Sequence, residues 1–212
     1  MSSAAPAGKL LPVTEPAAPA PARVPVLPEA VTILAGFAGI GAGTLSFGIS
    51  STLLSASLTP GTITGAGVTV LWGIGLMVWA VQSLRRGSPA WFRAVLRTVP
   101  VAVVLHLAAV AVGIWAPGPA PRFLDGAALS AAALELMILG SVGWLARQPT
   151  PGAGPAPVQP APGPLLAAIF AAALIVATIT TPGLAATAAG DHAVPHGEHT
   201  SAHLSPPTGH HH

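Results

Sequence analysis

The chain has 212 residues, of which 52% are hydrophobic and only 7% are charged, and its formal net charge is +2. A soluble domain carries about 25% charged residues, so this chain cannot cover a core with a water-compatible surface. The few basic residues form no patch that could neutralise nucleic-acid phosphates, and the lack of cysteine excludes disulfides and thiolate metal sites. The composition predicts an integral membrane protein, with the lipid bilayer rather than nucleic acid as its partner.

Residues 1–29 are predicted to form a disordered cytoplasmic arm. Seven prolines lie there among alanine and serine, without any apolar periodicity that could bury a surface. The absence of tyrosine and asparagine, together with abundant glycine, proline and alanine, fits a GC-rich bacterial genome. We therefore expect a bacterial protein.

Five apolar stretches follow the arm, and each is long enough to cross about 30 Å of hydrocarbon as a helix. Their predicted bounds are 31–57, 63–84, 98–116, 126–146 and 164–182. The runs are continuous rather than alternating, which excludes a β-barrel and predicts an all-α integral membrane protein with five transmembrane helices. The first four helices form a unit at 30–147. The uncharged segment 149–164 contains seven prolines, so we expect a stiff cytoplasmic linker at 148–163 before the fifth helix.

The basic residues predict the orientation. With the N-terminus in the cytoplasm, seven of the eight basic residues lie inside and only Arg122 lies outside. This bias predicts a multi-pass protein of the bacterial plasma membrane with an extracytoplasmic C-terminus. The segment from Arg85 to Arg97, which includes Trp91, is then a cytoplasmic interfacial connection of the kind that commonly contacts anionic lipid heads.

His106 and Glu135 are the only ionisable residues deep inside the predicted spans. Helical rise places His106 roughly 13 Å from Arg97, and Glu135 roughly 18 Å from Arg147. Both residues therefore lie near the midplane, on consecutive antiparallel helices, and we expect them to face each other. The pair is either a proton relay or stopping point for a metal ion, or a hydrogen bond that only fastens two helices.

Small residues predict where the helices pack, because they let helix backbones approach closely in lipid. On the third span Val110 interrupts this small-residue face. The predicted packing residues are Gly39 and Gly43 on the first span, Ala109 and Gly113 on the third, and Ala128, Ala131 and Ala132 on the fourth.

A histidine-rich extracytoplasmic tail is predicted at 183–212, and seven of the eight histidines lie in it. Imidazoles spaced by three or four residues can converge on one ion, and copper, zinc and nickel suit imidazole ligands. Binding would weaken as the pH falls below about 6.5, where imidazoles protonate. The predicted metal ligands are His192, His196, His199 and His203 with Glu198, and His210, His211 and His212 at the end.

The tail has other interpretations. It could sense pH, or it could be a solvated segment without a specific ligand. Cleavage near residue 188 would release it, because the Ala186–Thr187–Ala188 sequence resembles a signal-peptidase site.

No phosphate-binding loop, HExxH sequence or nucleophile with a nearby base occurs in the sequence, so we expect no enzymatic activity. The favoured hypothesis is extracytoplasmic binding of copper, zinc or nickel by the tail, with His106 and Glu135 as an inner stop. One alternative is an accessory or scaffold subunit that packs on a membrane-protein partner or on a second copy. The other alternative is a small proton- or ion-coupled transporter that uses His106 and Glu135.

Overall fold

The computed structural model describes residues 27–115, 123–148 and 162–191, which form helices joined by short turns. The long helices are α1 (Leu27–Ala56), α2 (Pro60–Arg86), α3 (Phe92–Trp115), α4 (Phe123–Ala146) and α5 (Pro162–Ala185), and a short α6 (Ala188–Asp191) follows. All five long helices are long and apolar enough to cross a membrane. Within the described residues, the predictions of an all-α fold and of five spans are confirmed.

Three predicted segments lie outside the described residues. They are the arm up to residue 26, the proline-rich linker at 149–161, and the tail from residue 192 onward.

Several helices begin before the predicted apolar spans. At α2, capping residues continue the helical hydrogen bonding past the apolar segment. Helix α2 begins at Pro60 rather than at residue 63, since proline suits the first helical turn. The Thr59 side chain accepts a hydrogen bond from the backbone N–H of Thr62 at 3.3 Å, which caps this start. The helix ends where Gly87 adopts a left-handed conformation with φ of 63°. Helix α3 likewise starts at Phe92 rather than at residue 98.

Helix α1 is the centre of the bundle, because α2, α4, α5 and α6 all pack against it. Its glycines make this possible, since lipid supplies no hydrophobic force and helices associate through close van der Waals contact. A Cβ atom on Gly43 would lie 2.9 Å from the Gly73 carbonyl oxygen of α2, and one on Gly39 would lie 3.0 Å from Ala80 Cβ. Both predicted packing glycines of the first span therefore lie in the α1–α2 interface.

Contacts across the interfaces give the helix directions. Gly36 and Gly43 of α1 lie against Leu84 and Gly73 of α2, so these two helices are antiparallel. The contacts of α1 with α5 follow the same order along both helices, which are therefore parallel. The ends of the helices consequently alternate, and one end of the bundle carries all the described arginines. These are Arg85, Arg86, Arg93, Arg97 and Arg147.

Helix α3 packs against α4 with branched side chains instead of the predicted small ones. Val99 and Val110 are buried, whereas Ala109 and Gly113 are exposed, so these two residues do not make the predicted contact. Only one of two closely packed helices needs small side chains, and α4 supplies them. Its predicted packing residues Ala128, Ala131 and Ala132 are all buried.

Residues 183–191 belong to the bundle rather than to the tail as predicted. Helix α5 continues past residue 182, and α6 packs against both α1 and α5. Gly183 and Thr187 are buried, and the backbone N–H of Ala188 donates to Thr52 Oγ1 of α1 at 3.0 Å. The sequence that resembles a cleavage site is therefore part of this packed segment, and the tail can begin only after α6.

The contact between α1 and α2 predicts different outcomes for two glycines on α2. A Cβ on Gly73 would meet the Gly43 carbonyl oxygen at 2.9 Å, whereas one on Gly75 has nothing within 4 Å. We expect Gly73→Ala to lower the free energy of unfolding by about 1–3 kcal/mol, because backbone atoms must move apart. Gly75→Ala should leave it unchanged or raise it by up to about 1 kcal/mol through helix propensity.

Unfolding of both variants in mild detergent, followed by circular dichroism during titration with sodium dodecyl sulfate, measures the difference. Equal stabilities for the two variants would contradict the close approach of α1 and α2.

Candidate functional site

The centre of α4 contains a fully buried carboxyl group. Glu135 is 0% exposed, and its neighbours Leu134 and Ile138 on the same helix are also fully buried. A charged side chain at the middle of a bilayer costs about 2.5–3.5 kcal/mol on insertion scales, unless partners inside the protein stabilise it. The geometry around Glu135 supplies such partners.

Each carboxyl oxygen of Glu135 has its own hydrogen-bond partner from a different helix. The indole Nε1–H of Trp72 on α2 donates to Oε1 at 2.9 Å. Nδ1 of His106 on α3 lies 3.0 Å from Oε2. The three side chains, which we call the polar centre, therefore join α2, α3 and α4 near the middle of each helix.

A proton connects His106 and Glu135 in either protonation arrangement. The imidazole Nδ1–H donates to a carboxylate, or a protonated carboxyl donates to Nδ1. A shift of that one proton along a 3.0 Å contact converts one arrangement into the other. By contrast, Trp72 can only donate, so it holds Oε1 in place and takes no part in proton transfer.

The second ring nitrogen of His106 points away from Glu135, because the two imidazole nitrogens lie on opposite sides of the ring. The His106 side chain is 13% exposed, so the ring is not sealed inside the bundle. Among the described residues no side chain forms a hydrogen bond with Nε2. This nitrogen is therefore free to exchange a proton or to bind an ion, while Glu135 fixes the orientation of the ring.

The polar centre joins α2 and α3 through Glu135 of α4. These helices pack against α1 and α4 respectively, but not against each other along their lengths. At the arginine-bearing end, Trp79 Nε1–H of α2 donates to the carbonyl of Ala90, two residues before α3 begins, at 2.7 Å.

The sequence predicts that His106 and Glu135 face each other, and the structure brings them together. Trp72 is not among the predicted site residues. A signal for it existed. An indole N–H in the middle of an apolar helix needs an acceptor, and few other polar side chains lie at that depth. Trp91 and Trp115, by contrast, are exposed near helix ends, where interfacial tryptophans are expected.

The predicted metal ligands cannot be placed. His192, His196, His199, His203, Glu198 and His210 to His212 all lie outside the described residues. Within 27–115, 123–148 and 162–191, no group of three or more His, Asp or Glu side chains could hold a metal ion. His106 and Glu135 offer two ligands, and a closed site usually needs four.

Comparison with known proteins finds no match: no family model, no curated protein and no solved structure matches this chain. The fold and the polar centre are therefore the basis on which a function can be proposed.

The hydrogen bond from Trp72 gives a stability prediction. Trp72→Phe keeps an aromatic ring but leaves the buried Oε1 of Glu135 without a donor, and we expect a loss of about 1–3 kcal/mol in the free energy of unfolding. The matched control is Trp115→Phe, because Trp115 is 86% exposed at the end of α3. This substitution should change the stability by less than about 0.5 kcal/mol.

Unfolding in mild detergent measures both values. If the two substitutions have equal effects, the indole of Trp72 does not support Glu135.

Proposed function

We propose that this multi-pass membrane protein handles cations without catalytic activity of its own, and that His106 and Glu135 relay protons through the middle of the bilayer. The observation that carries the proposal is the geometry of Glu135. Its carboxyl group is fully buried, held on one oxygen by Trp72, and in contact on the other oxygen with an imidazole whose second nitrogen is free.

The arrangement supports a relay better than a simple clasp between helices. A clasp needs only a donor and an acceptor that are both sealed from the surroundings. Here the imidazole is 13% exposed, so the described helices do not enclose the ring completely, and imidazole is the side chain that exchanges protons most readily near neutral pH. Intramembrane ionisable groups of this kind mark proton and ion pathways.

The proposed orientation places the arginine-bearing end of the bundle in the cytoplasm. Five arginines lie at that end, near the start of α1 and the turn between α2 and α3. This asymmetry is what the positive-inside rule describes. The opposite end, where α6 packs on α1, then faces the outside of a bacterial plasma membrane.

A second proposed function is extracytoplasmic capture of copper, zinc or nickel by the tail. The docking of α6 favours it, because the bond between Ala188 and Thr52 fixes the point from which the tail continues. That point lies at the outer end in the proposed orientation, four residues before His192, the first histidine of the tail. The tail would then collect ions beside the bundle that contains the polar centre.

The relay predicts that Glu135→Gln abolishes proton movement. Glutamine keeps an oxygen acceptor for Trp72 but cannot exchange a proton, so we expect proton flux into liposomes containing the protein to fall by at least about tenfold. An entrapped pH-sensitive dye measures the flux under a potassium diffusion potential. Glu29→Gln is the matched control, because Glu29 lies in the first turn of α1 and outside the polar centre.

The unfolding midpoint of each variant in the same detergent shows whether the fold persists. The relay is excluded if Glu135→Gln conducts like wild type, or if wild-type liposomes conduct no more than empty ones. In those cases the polar centre only packs helices, as expected for an accessory or scaffold subunit.

The capture hypothesis predicts that four histidines carry the metal affinity. Replacing His192, His196, His199 and His203 together by alanine should abolish binding of Zn²⁺, Cu²⁺ and Ni²⁺ to the full-length protein, as measured by isothermal titration calorimetry. Deletion of 210–212 is the control and should leave most of the affinity. Wild-type binding should weaken below about pH 6.5, because protonated imidazole cannot bind a metal.

Unchanged affinity in the variant with four alanines would contradict the capture hypothesis. A tail-deleted strain that tolerates every metal concentration like wild type would exclude a role in the cell.

A further inference from the structure

The turn between α2 and α3 is held rigidly by buried polar contacts. The Ala90 carbonyl accepts from Trp79 Nε1–H at 2.7 Å, and its N–H donates to Ser83 Oγ at 2.9 Å. All three residues are buried. Gly87, in a left-handed conformation, ends α2 three residues before Ala90. The backbone of this turn is therefore held against α2 by two hydrogen bonds.

The fixed turn presents an exposed tryptophan. Trp91 follows Ala90 directly and has a φ of 43°, a left-handed conformation that is strained for a bulky residue. Trp91 is 55% exposed, and its carbonyl oxygen accepts hydrogen bonds from the backbone N–H groups of Ala94 and Val95 at 2.8 and 3.2 Å, so the start of α3 holds it in this conformation. Strain of this kind marks sites where the surroundings hold a residue in a required position. A tryptophan at the end of a membrane-spanning bundle lies at the level of the lipid headgroups.

Five exposed arginines lie at the same end of the bundle as this tryptophan. The first two end α2, the next two begin α3, and the fifth follows α4; they are Arg85, Arg86, Arg93, Arg97 and Arg147. Helices α3 and α4 are antiparallel, and the contact between His106 and Glu135 sets their register. That register places residue 147 level with residue 94, between Arg93 and Arg97 along the axis. The last three arginines therefore lie at a similar level along the bundle axis.

We propose that Trp91 and these five arginines bind the headgroup of an anionic phospholipid in the cytoplasmic leaflet. Among the described residues the only ion pair is His106 with Glu135, so none of the five arginines is paired with a described carboxylate. Glu29, in the first turn of α1, lies at the same end of the bundle without forming a salt bridge. Guanidinium groups bind phosphate oxygens in a bidentate manner, and the indole packs on the adjoining glycerol and acyl region. The exposed ring selects a membrane lipid over free phosphate, because inorganic phosphate has nothing apolar to cover it.

Native mass spectrometry of the full-length protein in mild detergent tests the proposal with phosphatidylglycerol and phosphatidylcholine as probes. Wild type should retain phosphatidylglycerol in preference to phosphatidylcholine. The triple variant Arg93→Gln, Arg97→Gln, Arg147→Gln should lose affinity for phosphatidylglycerol roughly fivefold for each arginine removed. Trp91→Ala should weaken both lipids, because it removes the apolar contact.

The matched control removes three positive charges elsewhere: Lys9→Gln, Arg23→Gln, Arg122→Gln. It should bind phosphatidylglycerol like wild type. Equal losses in the two triple variants would overturn the proposal, because binding would then follow net charge alone. Displacement of the lipid by inorganic phosphate would overturn it as well. So would a lower unfolding midpoint of the arginine variant in phosphatidylcholine alone, because the exposed arginines would then have a structural role.

Discussion

The bundle depends on the close approach of other helices to the backbone of α1. Inside a membrane, apolar side chains gain nothing by leaving lipid for protein, so helices associate only where their surfaces fit closely. Helix α1 provides such a surface on several sides: Gly43 meets α2, Gly41 meets α5, and Leu134 of α4 approaches Gly41 as well. Because α2, α4 and α5 are all positioned against this one helix, the location of Glu135 on α4 and of Trp72 on α2 is set by α1.

The polar centre adds what packing on α1 does not supply. Helix α3 has only α4 as an extensive neighbour, and α2 is held mainly by α1. Glu135 connects these two outer helices through one hydrogen bond from each side. The same group thus contributes to the assembly of the bundle and provides its most polar interior position. For this reason a loss of stability alone cannot separate the two roles, whereas a measurement of proton movement can.

Much of this arrangement follows from the sequence, because hydropathy and charge are strong signals in membrane proteins. The five spans are apparent from apolar length, and the depths of His106 and Glu135 follow from helical rise. The rotation of α3 was not predictable. Ala109 and Gly113 have the size expected for an interface, yet Val110 is buried instead, since α4 carries the small residues and either helix can do so. The contact of Trp72 with Glu135 and the packing of α6 depend on which helices are neighbours. The local sequence pattern does not contain that information.

The geometry of α2 and α3 has a thermodynamic consequence. Trp79 and Ser83 of α2 bind the Ala90 backbone just before α3 begins. At the middle of the bundle, Trp72 of α2 and His106 of α3 both bind Glu135. A carboxylate and a protonated carboxyl accept hydrogen bonds with different strength, so protonation of Glu135 changes the coupling of both helices to α4. Any movement that separates α2 from α3 must in turn lengthen or break a hydrogen bond to Glu135. Separation of the two helices and loss of the polar centre are therefore a single structural event.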